Sequence, residues 1–289
     1  MQYNKTETMT TPTRKLGIIA GGGSIPKMLI KHCLKTGRDF FVLAIEGNAE
    51  ADLIDDQNIP HQWIRIGQAG TGFKRFAEEK VKDVVMIGTI RRPGFFDLVP
   101  DLRTTAFFAR LGLKSIGDDG ILRALVKEIE GEGMTVRGIH EVMTELLVKD
   151  GILGRHKPDR QAQEDIRRGL EVAAELGRLD VGQAVIVQQG LVLGVEGIEG
   201  TDELIRRCGE YRRKGDGGVL VKLRKPQQDM RIDLPTIGTR TIERAKETGL
   251  RGVVVHSGNG LIVDEPEVIR LADKYGIFVM GVNPGDYLK

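Results

Sequence analysis

Cysteine is nearly absent from this chain: among 289 residues there are two, Cys33 and Cys208. They lie far apart, each in a helical pattern, so the chain has neither a CxxC redox motif nor a disulfide framework. Aromatics make up only 5%, with one tryptophan, and the five histidines are scattered without an HxxxH or Cys/His cluster, which argues against zinc. No apolar run approaches the length of a membrane span, and the N-terminus lacks the hydrophobic core of a signal peptide, so a cytoplasmic protein is expected. With a net charge of +2 there is no excess of either sign, which argues against a dedicated nucleic-acid binder.

Glycine, by contrast, is abundant. Thirty-eight glycines and a 40% hydrophobic content point to an α/β protein rich in tight strand-to-helix turns, long enough for one large or two medium domains. Met1 to Arg14, polar and Thr-rich, read as a flexible leader. The regular pattern begins with a strand over Leu16 to Ala20, the turn Gly21-Gly22-Gly23-Ser24-Ile25-Pro26 and a helix over Lys27 to Lys35, with Ser24 as its N-cap. A glycine turn entering a helix presents amides to an anion, so phosphate or nucleotide contact leads here, with close packing as the alternative. It is not a dinucleotide fingerprint: Pro26 breaks the GxGxxG spacing, and Glu46 ends a strand before Gly47.

Strands over Phe40 to Ile45, Gln62 to Ile66 and Val84 to Gly88, with a helix over Gly72 to Lys80, continue a βαβ rhythm. They predict a parallel sheet with a ligand crevice at the carboxyl ends of its strands, where Thr89, Arg91 and Arg92 follow. Helical spacing returns over Asp101 to Leu113 and Gly120 to Glu132. Asp118 and Asp119 stand in the turn between, as caps or cation ligands. Phe95, Phe96, Phe107 and Phe108 read as core or as the wall of an apolar groove.

A second unit begins after the loop Gly151 to Pro158, with Lys157-Pro158 marking a domain boundary. Asp159 caps a helix over Arg160 to Leu176, and Ala184 to Gln188 with Val192 to Glu196 read as a hairpin or two adjacent strands. A helix over Glu203 to Arg213 has Thr201 or Asp202 as its cap. Further on, Gly252 to Val255 and Ile277 to Gly281 are apolar strands around a helix over Pro266 to Tyr275. His256-Ser257 lacks the glycine offsets of a nucleophile elbow.

The stretch Lys222 to Gly238 lies between an apolar strand, Gly218 to Leu223, and a helix over Thr239 to Thr248. Asp229, Arg231 and Asp233 alternate, so an extended segment places them on one face near Lys222 and Lys225. Two carboxylates and a guanidinium so placed suit a metal ion or a phosphate, and equally suit a solvated face of local salt bridges.

Six strings stand in order between Leu16 and Pro284: Ala20-Gly21-Gly22-Gly23-Ser24-Ile25-Pro26, Gly117-Asp118-Asp119, His140-Glu141-Val142, Asp180-Val181-Gly182-Gln183-Ala184, Glu196-Gly197-Ile198-Glu199-Gly200-Thr201-Asp202, and Lys225-Pro226-Gln227-Gln228-Asp229 through Asp233-Leu234-Pro235-Thr236-Ile237-Gly238. Through them the chain resembles the UDP-2,3-diacylglucosamine diphosphatase family of the lipid A pathway, in the branch unrelated to metallophosphoesterases. The resemblance implies two domains, an N-terminal Rossmann-like parallel-sheet domain (15–150) and a C-terminal α/β catalytic domain (151–289), with the site in the cleft between them. It also implies a magnesium ion and attack of water on the UDP α-phosphorus, giving UMP and 2,3-diacylglucosamine 1-phosphate.

The family pattern ties the aspartate before Leu-Pro, here Asp233, to catalysis as metal ligand or water-orienting base. Asp229, Asp202 and Glu199 are further metal candidates. Lys222, Lys225 and Arg231 balance phosphate charge, and Gly21, Gly22, Gly23, Ser24, Asp118, Asp119, Gln183, Thr201 and Gln228 complete the substrate-binding set. His256-Ser257-Gly258 departs from the Glu-Ala-Gly associated with the family. The implied partner is a nucleotide-sugar glycolipid met at the inner-membrane surface, with a homodimer left open. Two competitors remain, a NAD-dependent oxidoreductase and a noncatalytic nucleotide-sugar or lipid-binding regulator.

Overall fold

A computed structural model describes residues 14–54, 58–90, 101–111 and 118–288. The chain divides into two compact units, residues 1–143 and 144–289. The leader up to residue 13, Arg91, Arg92, Phe95, Phe96 and Gly117 lie outside the described residues, as do the side chains of Phe108, Asp118 and Asp119.

The first unit runs β1 (Leu16–Ala20), α1 (Ser24–Thr36), β2 (Phe40–Ile45), β3 (His61–Ile64), α2 (Ala69–Glu78), β4 (Asp83–Ile87), α3 (Leu102–Leu111), α4 (Asp118–Gly131), β5 (Thr135–Val136) and α5 (Ile139–Val142). Its five strands form a sheet in the order β3-β2-β1-β4-β5, every pair parallel. This is the expected Rossmann-like arrangement. Strand β2 is buried along its whole length, because a central parallel strand is covered on both faces and must be apolar throughout. Helix α1 buries Pro26, Leu29, Ile30 and Cys33, one stripe at helical spacing.

Two of the boundaries that shift concern candidate site residues. The N-cap of α1 is Gly23, whose φ of 91° lies in the left-handed region; Ser24 is the first helical residue. Helix α4 starts at Asp118, so Asp118 and Asp119 belong to its first turn instead of the loop before it.

The second unit contains β6 (Gly151–Ile152), α6 (Arg160–Arg178), β7 (Ala184–Gln188), β8 (Leu191–Val195), α7 (Thr201–Glu210), β9 (Val219–Lys222), β10 (Thr236–Ile237), α8 (Thr239–Thr248), β11 (Gly252–His256), β12 (Leu261–Ile262), α9 (Glu265–Tyr275) and β13 (Phe278–Val282). Six strands form one sheet, β6-β13-β11-β9-β7-β8, and β10 pairs with β12 in a small second one. Strands β9, β11 and β13 are mutually parallel; β6, β7 and β8 run antiparallel to their neighbours. Asp159 caps α6 as expected, its carboxylate accepting the Ala162 amide at 2.9 Å.

Both faces of this sheet are covered from within the unit. Ile166, Leu170 and Ala173 of α6 pack on Val185, Val221 and Val254. Leu204, Ile242 and Val268 of α7, α8 and α9 pack on the opposite face, against Ile186, Leu220 and Val253. The segment ahead of β6 belongs here too: Val148 is buried in that second core, and its amide donates to the Gly260 carbonyl at 2.9 Å. That pairing is why the division falls after Met143 and not at the 150/151 junction expected from the loop composition.

Candidate active site

Three parallel strands of the second unit deliver their carboxyl ends to one edge: β9 at Lys222, β11 at His256, β13 at Val282. Ala184 at the start of antiparallel β7 is paired with Lys222, and Lys222 with Val255. Gln183 and Glu196, which flank β7 and β8, therefore reach the same edge.

Lys222 is the centre. It is 5% exposed, and its ammonium donates to the Thr201 hydroxyl at 2.9 Å and to the Thr236 carbonyl at 3.1 Å. The Thr201 hydroxyl in turn donates to Glu196 Oε1 at 2.5 Å, and Glu196 Oε2 accepts the Gln183 amide at 3.2 Å. Burial pushes the Lys222 ammonium below its usual pKa, while the charges of Glu196, Asp233 and Asp202 work the other way. A buried cation ringed by carboxylates gives this edge a concentrated, fixed charge.

Thr201 has this role because it is not the helix cap. Gly200, with φ 80°, occupies that position and leaves Thr201 as the first residue of α7 with its hydroxyl turned to Lys222 and Glu196. This corrects the expectation that Thr201 or Asp202 caps the helix. Gly182 lets Glu196 approach: a Cβ on Gly182 would lie 2.1 Å from the Glu196 carbonyl oxygen.

The segment after β9 is a pair of turns and not the extended strand that alternation suggested. Ile232 and Asp233 both donate their amides to the Asp229 carbonyl, at 3.1 and 3.2 Å. Asp229 and Arg231 consequently form a local two-pronged ion pair, Nη2 to Oδ2 at 2.7 Å and Nε to Oδ1 at 3.0 Å. Asp233 instead accepts a short hydrogen bond from the buried Gln228 amide. Gln228 also accepts the Lys225 amide at 3.3 Å, so it fixes both ends of the turn, and the Lys225 ammonium reaches Asp180 at 2.7 Å.

The structure thus gathers Gln183, Thr201, Lys222, Gln228 and Asp233, with Asp202 close enough to act on Lys222. Glu199 is held by Arg207 at 2.8 Å and below the usual carboxylate range by its own backbone amide and Arg207, while Asp202 is paired with Arg240 at 2.9 Å. Among the described residues no three His, Cys, Asp or Glu side chains gather to hold a metal.

Gly21 to Ser24, Asp118 and Asp119 belong to the first unit. There the Gly21 and Gly22 amides donate to the carbonyls of Ile87 and Thr89 at 2.8 Å, and the Gly23 amide to Glu50 at 3.4 Å. A Cβ on Gly21 would lie 2.5 Å from the Thr89 carbonyl oxygen. Gly21 and Gly22 are closely packed at the strand ends, whereas a Cβ on Gly23 would meet nothing within 4 Å.

Two residues at this edge, Glu196 and Arg224, escaped the sequence reading as functional groups, and a third, His256, was weighed there only as a nucleophile-elbow neighbour and a departure from the family pattern. Glu196 stands in one of the matched strings, and a glutamate directly after a buried strand was the available signal. Arg224 and His256 both follow apolar strand cores, and each holds a ring or guanidinium nitrogen shielded from solvent with no hydrogen-bond partner among the described residues.

The chain matches the models of the LpxI N-terminal domain over residues 15–146 and the LpxI C-terminal domain over residues 149–280. It is 42% identical over 278 residues to the UDP-2,3-diacylglucosamine pyrophosphatase LpxI of Caulobacter vibrioides, an alignment spanning 94% of this chain and 98% of that protein.

Proposed function

Because the chain belongs to the LpxI family across nearly its whole length, we propose that it hydrolyses the diphosphate of UDP-2,3-diacylglucosamine in lipid A biosynthesis. Water attacks the α-phosphorus, the bond from that phosphorus to the bridging oxygen breaks, and UMP and 2,3-diacylglucosamine 1-phosphate leave with release of a proton. The observation that carries the reading is the buried Lys222, held by Thr201 and Thr236 at a strand-end edge beside Asp233.

In this reading Asp233, aimed by Gln228, orients the attacking water and takes its proton. Lys222 faces the negative charge that gathers on the phosphate oxygens; being fixed in advance by Thr201, it need not reorganise as the charge develops. Magnesium, when bound through Asp233, supplies charge neutralisation on those same oxygens. The nicotinamide and noncatalytic readings gain nothing from the matches or from the glycine turn.

Among the described residues no helix is long and apolar enough to cross a membrane. A substrate with two acyl chains implies that this protein meets the cytoplasmic face of the inner membrane peripherally. Sedimentation with vesicles containing the lipid substrate tests that encounter.

The reaction is tested with purified wild type and Asp233→Asn in water enriched in heavy oxygen, with and without Mg²⁺. Label in UMP, dependence on the cation and a loss of about 10²-fold or more in the variant are expected. Label in the sugar phosphate would move attack to the other phosphorus, and absence of UMP with every divalent cation tried would overturn the diphosphatase reading.

A further inference from the structure

Arg224 follows Lys222 by two positions at the same sheet edge. Its Nε is shielded from solvent and has no hydrogen-bond partner among the described residues, and no carboxylate pairs with its guanidinium. The neighbouring cations differ: Lys222 is bonded to Thr201 and Thr236, Lys225 to Asp180, Arg231 to Asp229. A half-buried guanidinium without a counter-ion is unfavourable in the free protein, and such a group is expected where a ligand supplies the missing charge.

His256 ends the adjacent parallel strand, with Nδ1 likewise shielded and unpartnered. Burial first, and the Arg224 charge second, lower its pKa to about 4. At neutral pH the imidazole is therefore uncharged: it offers a hydrogen bond and sets no second positive charge beside the guanidinium. The planar fork of an arginine matches phosphate oxygens pairwise, whereas Lys222 is a point charge already surrounded by Glu196, Asp233 and Asp202.

We propose that Arg224, with His256 beside it, is the subsite for the second phosphate of a nucleoside diphosphate, the one that departs with the sugar. The assignment rests on the diphosphatase reading of this same edge, and it divides the charge of the diphosphate between Lys222 and Arg224.

Calorimetric titration of the full-length protein with UDP and with UMP tests it. Arg224→Gln is expected to weaken UDP binding about tenfold or more and to leave UMP binding unchanged, with Arg224→Lys intermediate because it keeps the charge and loses the fork. Arg224→Gln is also expected to melt no lower than wild type, since it removes an uncompensated charge; a merely structural arginine would give a lower melting point. Should Arg224→Gln fail to fold, the structural role is supported and the proposal is overturned. Equal weakening for UDP and UMP, no weakening for UDP, or a wild type with no preference for UDP over UMP would each overturn it as well. The two readings fail separately. Hydrolysis of the lipid substrate without an Arg224-dependent preference for UDP sinks the subsite alone, whereas that preference without UMP formation sinks the diphosphatase reading alone.

Discussion

Thr201 joins a cation to an anion through one hydroxyl, accepting from Lys222 and donating to Glu196. Removing that oxygen leaves both buried partners short of a hydrogen bond, and each such loss costs about 1–3 kcal/mol. Thr201→Val is therefore expected to lower stability by about 2 kcal/mol in denaturant titration and to release the Lys222 ammonium from its fixed position. Misplacement of a catalytic group costs on the order of 10²-fold in rate, so kcat should fall much further than KM rises. Thr201→Ser, which keeps the hydroxyl, should restore most of the rate; equal loss in both variants would mean that the hydroxyl is not the connection. His256 makes a second prediction at this scale. Its folded-state pKa of about 4 lies below the ordinary 6.5. The unfolded chain thus binds the proton first as pH falls, and stability is lost between about 6.5 and 4. After allowance for partial exposure the loss is about 2 kcal/mol, and His256→Asn should show a flatter stability profile across that window.

Glycines with positive φ decide which side chains are free to act at the helix starts. Gly23 and Gly200 take the cap positions of α1 and α7, and so Ser24 and Thr201, which a sequence reader places at the caps, begin the helices instead. The central strands were legible because a strand covered on both faces must be apolar throughout, as in the run before Lys222. The turn after it was not legible: alternation of Asp229, Arg231 and Asp233 looks identical in a strand, and only the shared Asp229 carbonyl reveals the fold-back. Spacing grouped Asp233 with Asp229 and Arg231, and the family resemblance singled it out as the catalytic aspartate. Glu196 was overlooked because its partners Thr201 and Lys222 lie on other elements and meet it only once the sheet forms. The approach of Gly182 to the Glu196 carbonyl is a contact between two strand ends, and it yields a prediction at this scale. Gly182→Ala places a methyl against backbone that cannot yield cheaply. It is expected to cost about 1–3 kcal/mol and to lower activity through displacement of Glu196, whereas Gly190→Ala, with open space around its Cβ, should leave activity unchanged and cost about 1 kcal/mol for its φ of 75°.

Among the described residues, every side chain that converges on Lys222 comes from residues 144–289, and both faces of the sheet that carries them are covered by helices of the same segment. A sheet so enclosed has the core a domain requires to fold by itself. The segment 144–289, produced alone, is expected to unfold cooperatively in calorimetry and to bind no hydrophobic dye. Where the segment begins matters. Val148 is 2% exposed within the core, its amide and carbonyl bond to Gly260 and Gly258, and Leu147 bridges to Leu261. A fragment starting at Gly151 lacks that segment: it loses a fully buried valine, worth about 1.5–3 kcal/mol, and leaves the Gly258 amide and Gly260 carbonyl without their partners. It should melt well below the fragment starting at Thr144 or fail to fold. Equal stability of the two fragments would show that residues 144–150 contribute nothing to the second unit and would return the boundary to the loop where composition placed it.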